Sequence, residues 1–157
     1  EADSGHLERM LDINVTGVFN GCRAAIPHLR RNENGGAIVN VSSYLASRAG
    51  ANAGLPAYCA TKGAVSAMTR SLAVRHGPEQ IRVNAVCPAL VPTELNREIW
   101  EGHGDPEERR RELGRRYPLR RVGRPEDVAA AILFLAGESA AWITGQEITV
   151  DGGISAQ

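Results

Sequence analysis

Residues 37–62 read AIVNVSSYLASRAGANAGLPAYCATK. Its first seven residues, AIVNVSS (37–43), are a short β-branched apolar run, the pattern of a strand buried on both faces. The next thirteen, YLASRAGANAGLP (44–56), are a loop rich in Gly and Ala. From Ala57 a helix is predicted to run to His76, where HGP (76–78) stops it. Strand, loop and helix in that order are the half-unit of a parallel sheet.

The same alternation extends in both directions. Upstream, Leu7, Leu11, Asn14, Val18, Cys22, Ala25 and Leu29 recur at helical spacing, with Ser4 as a candidate cap and Pro27 as a kink or end. NENGG (32–36) is a loop. Downstream, IRVNAVCP (81–88) alternates and ends in proline, a second strand. Thr93 can cap a short helix through Trp100. DPEE (105–108) places Asp at the cap and Pro at the first helical position. RPEDVAAAILFLAG (124–137) is a further helix, and QEITVDGG (146–153) a last strand. The order α-β-α-β-α-α-β favours a parallel sheet covered by helices, an α/β architecture. Three strands make a small sheet. Residues 1–157 are therefore expected to be a single partial domain, the C-terminal part of a Rossmann-type doubly wound sheet.

Composition narrows the function classes. Formal net charge is zero, which gives no footprint for nucleic acid. Cys22, Cys59 and Cys87 form no CxxC pair, so neither a disulfide framework nor a metal site is expected, and a reducing compartment, the cytoplasm, fits. No apolar run is long enough to suggest a membrane partner.

Lys62 is the only lysine; all other basic side chains among the 18 are arginine. It follows Tyr58 by four residues, so the two share a helix face. A nearby ammonium and the helix start both favour the phenolate, which suits a tyrosine that exchanges protons. By itself a Tyr-x-x-x-Lys pair is most often a solvated helix face. Ser42 and Ser43 change the balance, because they end a predicted strand, and ligands in parallel sheets sit at the carboxyl ends of strands. A serine hydroxyl there and the tyrosine form a two-donor clamp for a carbonyl oxygen. Asn14 is the one polar residue in an apolar stripe, and a buried amide needs partners. It is either a satisfied structural Asn or the holder of a water that orients Lys62.

These residues resemble the short-chain dehydrogenases/reductases. The similarity runs through LDINVTGVF (11–19), IVNVSS (38–43), YCATKGAV (58–65), IRVNAVCPALVPT (81–93), GRPEDVAAAILFLA (123–136) and ITGQEITVDGG (143–153). The resemblance implies a nicotinamide cofactor, NAD or NADP, and an alcohol/ketone or aldehyde oxidoreductase with a small-molecule substrate. It implies the tetrad Asn14, Ser43, Tyr58 and Lys62, with Tyr58 as acid/base and Ser43 steadying the substrate oxygen. Lys62 binds the nicotinamide ribose in that pattern, and Asn14 holds a relay water. Ser43 is preferred over Ser42 because the second serine matches the family pattern. Pro88, Val91 and Thr93 are implied to line the nicotinamide pocket. Residues 94–117 correspond to the family's substrate-binding region, where Trp100 is a candidate cover for a hydrophobic substrate. Homodimers or homotetramers through helices 6–31 and 57–76 are implied too. Ala60, Ala64, Ala67 and Ser71 form a small-residue stripe on the second of these.

The chain departs from the family pattern in three places. The family's glycine-rich dinucleotide loop has no counterpart in these 157 residues. Ala89 stands where the family has glycine, a cost if the backbone needs a positive φ. The stretch between Ser43 and Tyr58 carries extra residues. A truncated, non-catalytic homologue serving as an interaction or oligomerisation module is therefore the rival expectation. The arginines at 109–111, 115, 116, 120, 121 and 124 are either a dock for an acidic substrate, such as a carrier-bound 3-oxoacyl group, or a solvated helix interleaved with Glu107, Glu108 and Glu112.

Overall fold

The computed structural model describes residues 4–48, 55–101 and 104–157. Helix α1 (Ser4–Leu11) continues through one π-helical turn, Asp12–Thr16, into α2 (Gly17–Leu29). Strand β1 (Gly36–Val41) follows, then α3 (Pro56–His76) and β2 (Ile81–Pro88). Helices α4 (Arg97–Glu101), α5 (Pro106–Gly114) and α6 (Pro125–Ala136) precede β3 (Glu147–Val150). Strands and helices alternate as expected, except that three helices, α4, α5 and α6, separate β2 from β3 where the expected order had two. The sheet order is β1-β2-β3, all parallel, with Ile38 opposite Val83 and Val86 opposite Ile148.

Side-chain alternation sorts the sheet into two faces. Ile38, Ile81 and Val83 pack with Ile26, Leu29, Leu72 and Ala73 of α2 and α3. Val39, Val86 and Ile148 pack with Val128, Ala131, Ile132 and Leu135 of α6. The result is an α/β/α sandwich, which explains why the strands read as continuous apolar runs. The apolar stripe predicted for the first helix is only partly buried. Cys22 is covered, while Leu7 and Leu11 are exposed; outside the stripe, Ile26 is covered and Ile13 and Phe19 are exposed. The helix also passes through Pro27 and ends at Leu29.

Two polar residues tie the layers together. Arg82 donates to the carbonyls of Leu135 (2.7 Å) and Gly137 (3.1 Å), filling acceptors that the end of α6 leaves open. Asn84 is wholly buried; its amide donates to the Ile143 carbonyl (2.8 Å) and its oxygen accepts from Gln146 N–H (3.0 Å). The Asn84 side chain thus joins the backbone bonds Gly145 N–H to Val83 (2.8 Å) and Ala85 N–H to Gln146 (2.8 Å) in holding the turn into β3. Asn84→Ala is expected to destabilise the fold by about 1–2 kcal/mol, because it removes two hydrogen bonds made by a fully buried amide. Urea unfolding of the variant checks this. At the entry to β1, Gly35 has φ +66°, and a Cβ there would meet the Gln80 carbonyl oxygen at 2.0 Å, so only glycine fits.

The C-terminal ends of α2 and α3 are joined by Glu79. It accepts from Arg30 (2.7 Å) and contacts the Nδ1 of buried His76 (2.9 Å). Arg30 first, then His76, hold its carboxyl down at about 2. A depressed carboxyl contributes stability that is present above the ordinary pKa of 4.5 and is lost as pH falls towards about 2. Glu79→Gln should lower the urea midpoint at pH 6. The gap to the parent should close as pH falls through that window. A gap independent of pH would overturn the assignment.

Candidate active site

Tyr58 and Lys62 lie on the first turns of α3, where Pro56 opens the helix. The Lys62 Nζ sits 5.7 Å from the Tyr58 ring centroid and donates to the Val41 carbonyl at 3.0 Å. The ammonium is thus held at the carboxyl end of β1. Ser43 follows that strand, buried, with extended backbone, and its Oγ accepts from Leu45 N–H at 3.2 Å. Its hydroxyl faces Tyr58. Ser42 points the other way, into α3, where its Oγ donates to the Lys62 carbonyl (2.9 Å). The geometry therefore separates the two serines: Ser43 faces Tyr58 and Ser42 faces the α3 backbone.

Electrostatics differ from the sequence expectation. Burial pushes the Tyr58 phenol above its ordinary value of 10.0; Ser43 pulls it down and Cys59 pushes it further up. Lys62 was expected to depress it. Its own ammonium is half-buried, turned onto Val41, and lowered by burial. Desolvation of the phenol outweighs the rest. Tyr58 is accordingly a protonated donor at neutral pH.

Asn14 occupies the middle of the π-helical turn, a distortion common at functional sites. Its amide donates to Thr61 Oγ at 3.2 Å, and Thr61 in turn donates to the Tyr58 carbonyl at 2.8 Å. Its side chain thus reaches the residue before Lys62 rather than Lys62 itself. Pro88 closes β2. Ala89 is not at positive φ, so no glycine is required there and alanine carries no backbone strain. Beyond it, Asn96 shapes the loop: its amide donates to the Val91 carbonyl (2.8 Å) and its oxygen accepts from Thr93 N–H (2.8 Å). The Trp100 side chain and residues 49–54, part of the ASRAGANAG stretch (46–54) expected to hold the extra residues, lie outside the described residues.

The sequence reading missed Asn96 and Thr61, whose roles depend on loop geometry. It also missed Ser66, which joins the Ser42 hydroxyl at 3.1 Å. Its spacing four after Lys62 was the available signal. Of the arginine cluster, Arg109 pairs with Glu112, Arg110 and Arg111 with Glu107, and Arg121 with Asp127. Among the described residues, no group of His, Cys, Asp and Glu could hold a metal ion, and no helix is long and apolar enough to cross a membrane.

Fold and site together define a Rossmann-type parallel sheet with a serine, a tyrosine and a lysine gathered at the carboxyl end of β1. The family described as Enoyl-(Acyl carrier protein) reductase matches residues 1–155. A Xanthobacter autotrophicus protein named inactive 2-(S)-hydroxypropyl-CoM dehydrogenase 2 is 42% identical over 149 residues, covering 94% of this chain and 63% of that protein. Thermoplasma acidophilum aldohexose dehydrogenase superposes with a TM-score of 0.90 at 37% identity, over 100% of this chain and 62% of that one. An NADPH-bound short-chain oxidoreductase from Pseudomonas aeruginosa PAO1, described as having an atypical catalytic centre, gives 0.90 at 32% identity, over 100% and 60%. The chain belongs to the short-chain dehydrogenase/reductase family. It spans less than two thirds of the length of these relatives.

Proposed function

We propose that this chain carries the catalytic part of an NAD(P)-dependent oxidoreductase that interconverts an alcohol and a ketone or aldehyde. The observation that carries the reading is the convergence of the Ser43 hydroxyl, the Tyr58 phenol and the Lys62 ammonium at the end of β1.

The residues fit the nicotinamide end of such a cofactor. Lys62 has three N–H donors and, among the described residues, one hydrogen-bond acceptor, the Val41 carbonyl, leaving capacity for ribose hydroxyls on the Tyr58 side. Pro88, Val91 and Thr93 would line the ring pocket. The chemistry the group supplies when bound is hydride transfer to or from the substrate carbon. In reduction, Ser43 and Tyr58 hold the carbonyl oxygen, and Tyr58 donates its proton to it. Lys62 then steadies the phenolate until a proton returns. Asn14, through Thr61, holds the first turn of α3 in place.

Within this class, a 3-oxoacyl thioester is one substrate candidate, in accord with a Thermotoga maritima relative, 37% identical over 147 residues, named as a 3-oxoacyl-[acyl-carrier-protein] reductase. Sugar, polyol and steroid alcohols are the others. The exposed stripe of Ala60, Ala67 and Ser71 on α3, beside exposed Val74, supports self-association through α1–α2 and α3. A cytoplasmic location accords with three unpaired cysteines.

A second reading, a non-catalytic interaction module, accords with the relative whose name calls it inactive. One experiment separates the two. NADH and NADPH fluorescence is titrated with the protein, and reduced cofactor consumption is then followed across a panel of ketones, aldehydes and 3-oxoacyl thioesters. Saturable binding with turnover supports the oxidoreductase. Binding or not, a folded protein that consumes no cofactor on any of them favours the module.

A further inference from the structure

Behind the site lies a line of buried polar groups that the reaction above does not use. Ser42 Oγ lies 2.9 Å from the Lys62 carbonyl and 3.1 Å from Ser66 Oγ. Ser66 Oγ lies 2.7 Å from Glu147 Oε2 on β3, and the other carboxylate oxygen is paired with Arg70. Ser42 and Ser66 are both nearly inaccessible, at 2% and 4% exposure, so water does not complete this set.

Counting protons fixes the direction of each bond. A carboxylate and a backbone carbonyl only accept, and each serine has one proton to give. Ser66 gives its proton to Glu147. It therefore offers Ser42 only lone pairs. The Cys87 thiol also lies against Ser42 and, at 3.9 Å, against Glu147 Oε2; of the Ser42 contacts the close acceptor is the Lys62 carbonyl, shorter than that to Ser66 Oγ.

Lys62 is thereby pinned twice, by the last residue of β1 and the one that follows it. Its Nζ rests on the Val41 carbonyl and its own carbonyl on the Ser42 hydroxyl. Ser43, the next residue, faces Tyr58 on the same helix turn. The seam that sets the spacing of Ser43, Tyr58 and Lys62 is therefore closed by Ser42. We propose that Ser42 is a positioning residue for this centre, holding the α3 turn that carries Lys62 against the end of β1. The proposal rests on the oxidoreductase reading for its catalytic consequence, but its geometry is testable apart from turnover.

Lys62 is the only lysine, so acylation of its amine can be followed by peptide mass spectrometry without competing side chains. In Ser42→Ala the released lysine should label about tenfold faster, the factor that one lost buried hydrogen bond carries. Ser42→Thr keeps the hydroxyl and should label at the parent rate. Ser66→Ala removes a competing acceptor, leaves the Lys62 carbonyl as the close acceptor of the Ser42 proton, and should stay within about threefold of the parent. A purely structural role for the buried line predicts the opposite, that Ser42→Ala and Ser66→Ala behave alike. Parent-like labelling in Ser42→Ala, or equal acceleration in Ser66→Ala, overturns the proposal. Should Ser42→Ala fail to fold, Ser42→Cys keeps the volume with a weak donor and carries the same expectation. NAD(P)H-dependent turnover should follow the inverse order. A parent that turns over no substrate, with the labelling order intact, would remove the oxidoreductase reading and leave the positioning of Lys62 standing.

Discussion

Tyr58→Phe should lower kcat by about a thousandfold, the scale of a lost general acid, while reduced cofactor still binds within a few-fold of the parent. The substitution removes one oxygen and keeps the ring. The residue is half-buried at the third position of α3, and its ring needs no other polar partner to pack. What disappears is the proton that Ser43 and Tyr58 together present to a carbonyl oxygen. The direction of the Tyr58 shift adds a second reading. Burial holds the phenol above 10.0, so in carbonyl reduction it stays protonated across neutral pH. The reduction rate of the parent should therefore be flat through neutrality and fall only at strongly alkaline pH. In Tyr58→Phe that alkaline limb should vanish with the activity. Turnover near the parent level in the folded variant would sink the assignment of Tyr58 as the acid. A retained alkaline limb on a small residual rate would place that limb on another group.

Much of this site was legible because its pieces obey short-range rules. Tyr58 and Lys62 share a face by helical spacing alone, and Ser43 sits at a strand end that the apolar run 37–43 already marks. β2 was readable to its last residue, since Pro88 cannot continue a ladder. The strands fill both faces of a sandwich, so their apolar runs were continuous and easy to find. Long-range polar pairings were not readable. Asn14 was visible as a polar intruder, but its partner Thr61 is 47 residues away, and only the packing of the first helix on α3 brings them together. The π-helical turn around Asn14 has no sequence signature of its own. Glu147 reads as one more polar residue at a strand start, and nothing local connects it to Ser66, 81 residues earlier. The sign of the Tyr58 shift was missed for a related reason. A helix position tells that an ammonium is near, while the burial that outweighs it is a property of the assembled sheet and loops.

Lys62→Arg should cost about a hundredfold in kcat/KM even though it keeps the charge, because the site asks for a compact donor. Seventeen of the chain's 18 basic side chains are already arginine, so an exposed cation would have been served by that residue. Lysine differs in three ways that matter at this position. Its ammonium reaches the Val41 carbonyl at 3.0 Å as a point donor and keeps two further N–H groups on the Tyr58 side. A guanidinium spreads its donors over a plane and cannot occupy the same half-buried corner without displacing the α3 turn. Burial also lowers the Lys62 pKa, so its charge responds to what lies against it, whereas arginine stays charged throughout. Loss through geometry should appear chiefly as a raised KM for reduced cofactor, with kcat falling less. Loss of charge is measured separately with Lys62→Met, for which kcat should fall at least as far as in Lys62→Arg. If Lys62→Arg matches the parent and only Lys62→Met fails, charge alone suffices and the lone lysine has no geometric reason. If both fail in the stated order, the one exception to the chain's arginine usage is explained by the reach and compactness of its amine.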